Sequence, residues 1–260
     1  MSLRLLATGT SLALFSLGTS AWAGTVEYVV NGDFETNTGN GQLTYNTSAS
    51  GWSVGTGSGT QGYAFLFNAA PNTTSGTSAD NAGAVGQAGT AKLWGPGTGS
   101  DNGLSLSPNG GAFIGSDPGY PGNQPIWQTL TNLQVGKPLT VTFEWAGAQQ
   151  YSFYGDQTEG WTVSLGSESY DVGPVPNASQ GFTGWMSQSF TFTPTSSTEV
   201  LSFLATGTPD ISLPPFALLD SVSATQTVPE PATWVLMTLG VAGLGYCGFR
   251  SNRRARVETV

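Results

Sequence analysis

Carboxylates are the side chains of this sequence that could support catalysis. Two pairs, Asp156 with Glu159 and Glu144 with Glu168, lie in or near predicted strands. Glycoside hydrolysis uses two such groups, one as an acid and one as a base or nucleophile. Solvated surface acids are the ordinary alternative, and spacing along the chain does not fix the distance between two groups. A carboxylate-dependent glycoside hydrolase therefore stays an alternative, and a protein that is not an enzyme is the prediction.

Other catalytic chemistries lack their residues. The chain of 260 residues contains no histidine, and its single cysteine is Cys247. A Ser-His-Asp triad, a Cys-His pair and a zinc site of histidines and cysteines are therefore excluded. No disulfide can form within the chain, although an oxidising compartment would permit one.

The charge is unevenly distributed along the chain. Five of the seven cations lie near the two ends: Arg4, Arg250, Arg253, Arg254 and Arg256. All acids except Glu258 lie between residues 24 and 231. This part contains 15 acids and two lysines, so its formal charge is −13. Nucleic acid and anionic lipid require clustered Lys and Arg. We therefore expect neither as a partner of this part.

Loop aromatics are the candidates for binding a sugar, because sugar rings stack their C–H faces on exposed aromatic rings. Trp94, Tyr120 and Tyr151 lie in predicted loops, and Phe153 and Tyr154 follow Tyr151 closely. The alternative is that these rings hold long loops in place. We select Trp94, Tyr120 and Tyr151 as possible ligand-binding aromatics.

Strand patterns dominate the middle of the chain. In residues 138–146, Leu139, Val141, Phe143 and Trp145 alternate with polar residues, which puts four apolar side chains on one face of a strand. Nine or ten such short strands, separated by Gly, Pro, Asn and Ser turns, predict an all-β antiparallel sandwich. Residues 36–50 and 71–107 are polar and rich in turn residues, and we interpret them as long loops or poorly ordered insertions.

The two ends have the composition of targeting segments. Residues 1–23 resemble a secretory signal peptide, with Ala21 and Ala23 at the cleavage site. Residues 24–225 would form the sandwich domain, and 226–260 a separate segment. That segment contains Val228, Pro229, Glu230 and Pro231, then 18 uncharged residues at 232–249, then the basic tail 250–256. A helix of that length spans about 27 Å, enough to cross a bilayer core, and the arginines should keep its end in the cytoplasm.

This order of motif, apolar helix and basic tail resembles the PEP-CTERM sorting signal of Gram-negative bacteria. The resemblance implies recognition of residues 228–231 by an exosortase, a membrane cysteine peptidase, and export to the cell surface or the extracellular matrix. In transit, the domain would be periplasmic and the C-terminus cytoplasmic. An ordinary membrane anchor with a chance Pro-Glu-Pro is the alternative.

A second resemblance rests on the order of landmarks in residues 26–224. These landmarks are Asn31-Gly32-Asp33-Phe34-Glu35, Gly51-Trp52, Ile126-Trp127-Gln128-Thr129-Leu130, Gly184-Trp185 and Leu219-Asp220-Ser221-Val222. They look like the galactose-binding-like jelly roll of carbohydrate-binding modules. The resemblance implies a structural calcium ion held by Asp33, Glu35 and Asp220, although Ser221 stands where the family often has a second acid.

Together these features predict an exported protein with a structural or adhesive role in an exopolysaccharide matrix. The alternative is a carbohydrate-binding module with a specific glycan ligand. The expected partners are the exosortase-type peptidase and, in either case, exopolysaccharide.

Overall fold

The computed structural model describes residues 23–55, 62–119, 123–209, 213–229 and 239–243. Thr25–Thr227 form one compact unit. The described residues contain 14 strands, one 3-10 turn at Pro96–Thr98 and a short helical segment at 239–243. The all-β prediction is therefore confirmed for the compact unit.

The strands have the following bounds: β1 Ala23–Glu27, β2 Gly41–Gln42, β3 Ser53–Val54, β4 Ala64–Phe67, β5 Ala84–Gly86, β6 Gly89–Ala91, β7 Phe113–Ser116, β8 Ile126–Thr131, β9 Leu139–Gln149, β10 Gln157–Leu165, β11 Glu168–Asn177, β12 Met186–Phe192, β13 Thr198–Thr208 and β14 Pro215–Pro229. One sheet has the order β12-β9-β14-β7-β4-β2, with β1 beside β14. A second has the order β11-β10-β13-β8-β3, and β5 pairs with β6 alone.

The main core lies between the two large sheets. Strand β9 shows how the sequence produces it, since Leu139, Val141, Phe143 and Trp145 are buried while Thr142 is exposed. The facing sheet contributes Trp161, Val163 and Leu165 of β10 to the same cluster. Alternation with a period of two therefore places each strand's apolar side chains on the shared inner face.

A second core covers part of the outer face of the seven-stranded sheet. Here Phe216 and Leu218 of β14 pack with Ala146 and Ala148 of β9, under residues of the 71–107 segment such as Leu93. That segment was predicted as loops or poorly ordered insertions. Instead it contains β5 and β6, and its buried alanines and leucines attach it to the sheet.

Several sequence predictions lie outside the described residues. The signal peptide does so except at its last residue, and the 232–249 helix does so except at 239–243, which is helical. Among the described residues, no helix has the length and apolarity needed to cross a bilayer. Strand β14 continues through Val228 to Pro229, so the first two residues of the predicted sorting motif have strand conformation.

Candidate functional site

Glu35 is brought to its position by a tight turn after β1. Asn31 and Phe34 both have positive φ angles, of 55° and 56°. The Asn31 side chain closes the turn, since its Oδ1 accepts from the Thr36 N–H at 2.8 Å and its Nδ2 donates to the Ser50 carbonyl at 3.0 Å. Phe34 is fully buried and packs against Trp52 at 5.1 Å. This anchor fixes where the side chain of Glu35 leaves the turn.

The Glu35 carboxylate then reaches residues 111 and 112. The backbone N–H of Ala112 donates to Glu35 Oε1. Gly111 has a φ of +80°, and a Cβ there would lie 1.6 Å from the same oxygen. Any larger residue at position 111 would therefore displace the carboxylate.

Asp220 lies beside Glu35, at a bulge in β14. It is completely buried, and its carboxylate accepts from the Ser107 hydroxyl and from the Ser221 N–H, the latter at 2.7 Å. Burial raises the pKa of Asp220 to about 7 and the nearby charge of Glu35 adds to this, although the hydrogen bonds from Ser107 and Ser221 oppose it. The structure thus brings together two of the three predicted calcium ligands.

Asp33 does not join this pair. It is exposed, and it accepts a long hydrogen bond of 3.5 Å from the Glu35 N–H. In the described part of the chain, no group of three or more His, Cys, Asp or Glu is arranged to hold a metal ion. Calcium binds carboxylate, carbonyl and hydroxyl oxygens, and Glu35 and Asp220 are the two predicted carboxylates that lie near each other.

A polar depression of about 370 Å³ lies next to Asp220 on the outer face of the seven-stranded sheet. Its lining includes Thr142, Glu144, Ser187, Ser189 and Ser221. The pairing of β9 with β12 places Ser187 opposite Glu144, and the Ser187 hydroxyl donates to Glu144 Oε1 at 2.6 Å. The depression offers hydrogen-bonding groups, and its one ring, that of Phe143, is buried.

An aromatic cluster is formed where β9 leads into β10. Trp94 lies at its centre, 4.7 Å from Tyr151 and 5.4 Å from Tyr154 between ring centroids. The Trp94 indole donates to the Phe153 carbonyl at 2.8 Å. Trp94 is only 6% exposed, whereas Tyr151 and Tyr154 are 39% and 61% exposed. Trp94 therefore supports the loop from below, and the two tyrosines are the rings available to a ligand.

The two members of each predicted carboxylate pair have different surroundings. Asp156 is exposed and accepts from the Ser179 N–H at 3.1 Å, whereas Glu159 is completely buried in the main core. Glu144 lines the depression, but Glu168 does not, and Glu168 accepts from the Tyr170 hydroxyl at 2.7 Å.

The complete burial of Glu159 was not predicted from the sequence. It faces Gly147, where a Cβ would lie 2.3 Å from Glu159 Oε2. Asn177 donates to its Oε1 at 3.3 Å, and Oε2 has no hydrogen-bond partner among the described residues. Burial raises the pKa of Glu159 to about 8, against the smaller effect of the Asn177 hydrogen bond. The alternation along β10 could have predicted this burial, since Gln157 and Glu159 lie on the same inward face as Trp161.

The remaining predicted site residues fall largely outside the described residues. This holds for Tyr120, Ala21, Glu230, Pro231 and the four C-terminal arginines. For Ala23, Val228 and Pro229 the backbone is described, at the start of β1 and the end of β14.

Residues 227–254 match the PEP-CTERM protein-sorting motif. The interpretation of this segment as a PEP-CTERM signal is therefore confirmed. The motif implies export through the membrane to the cell surface and processing by an exosortase. No curated protein is significantly similar to the chain in sequence.

Solved structures with a similar fold include carbohydrate-binding modules and an adhesin domain. The module TmCBM61, solved in complex with β-1,4-galactotriose, is 12% identical with a TM-score of 0.37, and the match covers 76% of this chain and 97% of that one. A CBM4 structure is 17% identical with a TM-score of 0.35, over 76% and 98%. The K1 cleaved adhesin domain of Lys-gingipain from Porphyromonas gingivalis W83 is 15% identical with a TM-score of 0.38, over 77% and 97%. Likenesses this distant do not transfer a ligand to this chain.

Proposed function

We propose that this exported protein has a structural or adhesive role in an exopolysaccharide matrix, and that its domain holds polysaccharide at the aromatic cluster. The observation that carries the proposal is the pair of exposed rings, Tyr151 and Tyr154, braced on the buried ring of Trp94. Two flat faces on one loop suit a chain of sugar rings, which stack their C–H faces on aromatic rings.

The loop that carries the rings is fixed before a ligand arrives. The Tyr151 N–H donates to the Lys92 carbonyl at 2.8 Å, and Gln149 Nε2 donates to the Gly155 carbonyl at 2.9 Å. With the Trp94 indole bonded to Phe153, the loop is held at its start, middle and end. Such preorganisation lowers the entropy cost of binding.

The charge of the exported part selects among polysaccharides. With 15 acids against two lysines between residues 24 and 231, it repels polyanions. Near the rings, Asp156 is exposed and can accept hydrogen bonds from sugar hydroxyls. The proposed ligand is therefore an uncharged polysaccharide.

Affinity electrophoresis tests this proposal. The protein is run through gels with and without the exopolysaccharide of its own host, and then through gels with neutral glucans and galactans. Wild type should be retarded, and Tyr151→Ala with Tyr154→Ala should migrate freely. Tyr45→Ala is the matched control, because Tyr45 is 50% exposed at a distant turn. Equal retardation of wild type and the double tyrosine variant would contradict the proposal.

We further propose the route by which the domain reaches the surface. The signal peptide 1–23 is removed after Ala23, the 232–249 helix spans the inner membrane, and Arg250, Arg253, Arg254 and Arg256 keep its end in the cytoplasm. The exosortase then cleaves near Val228-Pro229-Glu230-Pro231. Mass spectrometry of the surface fraction should find an N-terminus at Gly24 and a C-terminus near Pro229–Pro231. A surface protein that still ends at Val260 would contradict the route.

A structural calcium ion at Glu35 and Asp220 is a second proposal. Two carboxylates close enough to repel each other, one of them fully buried, favour a cation that neutralises both. The ion would tie the turn after β1 to the bulge of β14. Asp33 is not included, because Glu35 is the acid whose charge contributes to the raised pKa of Asp220.

A further inference from the structure

Among the described residues, the edges of the two large sheets are protected against pairing with other chains, except at β12. Strands β2 and β3, at two edges, have two residues each. Strand β11 carries Pro174 and Pro176, and β1 carries Glu27. Short strands, prolines and charges are the usual means of preventing edge pairing. Strand β12, at the end of the seven-stranded sheet, has seven residues without a charge or a proline.

The outward backbone groups of β12 can be identified from their contacts. The Tyr170 hydroxyl donates to the Thr191 carbonyl at 3.4 Å, and the Thr193 N–H donates to Glu168 Oε2 at 3.0 Å. In an antiparallel strand, the N–H and C=O of one residue point the same way, and the direction alternates along the strand. The backbone groups of Ser187 and Ser189 therefore also point away from β9.

Side chains take the place of a neighbouring strand along this edge. Tyr170 and Glu168 cover the end near Thr191, whereas Gln188 Nε2 reaches the Ser189 carbonyl at 3.3 Å. Gln188 is a long flexible side chain that a partner's N–H can displace. The open part of the edge is thus centred on Gln188.

We propose that β12 is the interface between two copies of this chain, paired antiparallel about a two-fold axis through Gln188. This register sets Ser187 of one protomer opposite Ser189 of its partner, so that the four outward backbone groups exchange hydrogen bonds. Met186 faces the partner's Phe190 on the inner side. Hydroxyl pairs and sulfur–aromatic contacts both stabilise cross-strand neighbours.

The absence of charge on β12 favours a second copy of this chain as the partner at this edge. The part between residues 24 and 231 carries a formal charge of −13, but β12 contributes none of it. Two acids lie near this edge. Glu144 is held by the Ser187 hydroxyl on the outer face, and Glu168 accepts from the Thr193 N–H at the far end of β12. An axis through Gln188 puts Glu168 of one protomer and Glu168 of the partner subunit at opposite ends of the interface. Two copies can therefore meet at this edge without placing like charges opposite each other.

Cysteine cross-linking tests the register on the full chain, in detergent and with Cys247→Ser so that each engineered thiol is alone. Gln188→Cys lies on the axis as a non-hydrogen-bonded pair, whose Cα atoms are about 4.5 Å apart and suit a disulfide. Val200→Cys is the control, because Val200 is 41% exposed on β13 of the other sheet. Mild oxidation should give at least about tenfold more covalent dimer from Gln188→Cys than from Val200→Cys.

A second variant keeps the proposal testable if cysteine disturbs the strand. Ser189→Pro removes an outward N–H that β9 does not use, so folding should persist. Sedimentation should show wild type at twice the mass of Ser189→Pro, and circular dichroism should show the same strand content in both proteins. Equal cross-linking of the two cysteine variants, or equal mass of wild type and a folded Ser189→Pro, would overturn the proposal.

Discussion

Tyr151 and Tyr154 are 39% and 61% exposed, whereas Asp220 is completely buried beside Glu35. The aromatic cluster keeps its chemistry at the surface and buries only the supporting ring of Trp94. The acidic pair differs, since the Asp220 carboxyl is buried at the bulge of β14 and the exposed Glu35 lies beside it. The difference separates recognition from stability: changes at the tyrosines should alter binding alone, and changes at the acids should alter folding alone.

Trp94→Ala should have the largest effect, because Trp94 is a buried ring that stabilises the fold and also supports the two exposed tyrosines. Truncating a buried Trp costs about 3 to 5 kcal/mol, and the loop that carries Tyr151 and Tyr154 would lose its support. Urea unfolding should show the loss of stability, and gel retardation the loss of binding. A variant with normal binding would show that the tyrosines do not depend on Trp94.

Calcium should have the next largest effect, confined to stability. An ion present at 100 times its Kd stabilises a fold by about 2.7 kcal/mol, or a Tm difference of about 5–10 °C at this size. Calorimetry with calcium and then with EDTA measures it. Asp220→Asn should abolish the difference.

Asp33→Asn is the control, because Asp33 is exposed and outside the acidic pair. It should keep the full response to calcium. An unchanged Tm in wild type after EDTA would remove calcium from the comparison.

Glu159 is another buried carboxyl, and its Oε2 has no hydrogen-bond partner in the part of the chain that the structure describes. Burial raises its pKa in the folded state to about 8, above the ordinary value of 4.5. The folded state therefore holds a proton that the unfolded state releases, so this stability is complete below pH 4.5 and is lost as the pH rises through about 8. Glu159→Gln removes the dependence.

The measurement is urea unfolding from pH 6.5 to pH 8.5. Glu159→Gln should gain on wild type by about 2 kcal/mol over this range, and gel retardation should stay unchanged. A constant difference between the two proteins across the range would show that Glu159 is ionised in the fold.

Tyr154→Ala alone should have the smallest effect. Loss of one stacking ring is worth about 1.4 kcal/mol at most, or about tenfold in Kd. Titration calorimetry with the best neutral polysaccharide measures it, and Tyr45→Ala is the control. A drop in Tm as large as that of Trp94→Ala would show that Tyr154 stabilises the fold instead.

The sequence predicted the strands with regular alternation and missed those without it. Strand β9 follows directly from Leu139, Val141, Phe143 and Trp145. Strand β11 was missed because Pro174 and Pro176 are unusual in strands, and an edge position tolerates them. The carboxyl predictions show a similar limit, because the approach of Glu35 to Asp220 depends on the turn after β1, where Asn31 and Phe34 have positive φ.

Two residues of the acidic site could not be found from sequence. Ser107 and Gly111 lie more than a hundred positions from Asp220, in or just after a segment with no strand pattern. Their roles depend on how that segment packs over the sheet, which is a tertiary property. The order of acids and aromatics along the chain therefore indicates which residues to test, and packing decides which of them meet.

The most direct test is the partition of the exported protein between the washed extracellular matrix and the medium of its own host. Wild type and Tyr45→Ala should remain in the matrix, and Tyr151→Ala with Tyr154→Ala should move to the medium while folded, with the same processed C-terminus. Retention of the folded double variant at the wild-type level would contradict polysaccharide binding at the aromatic cluster.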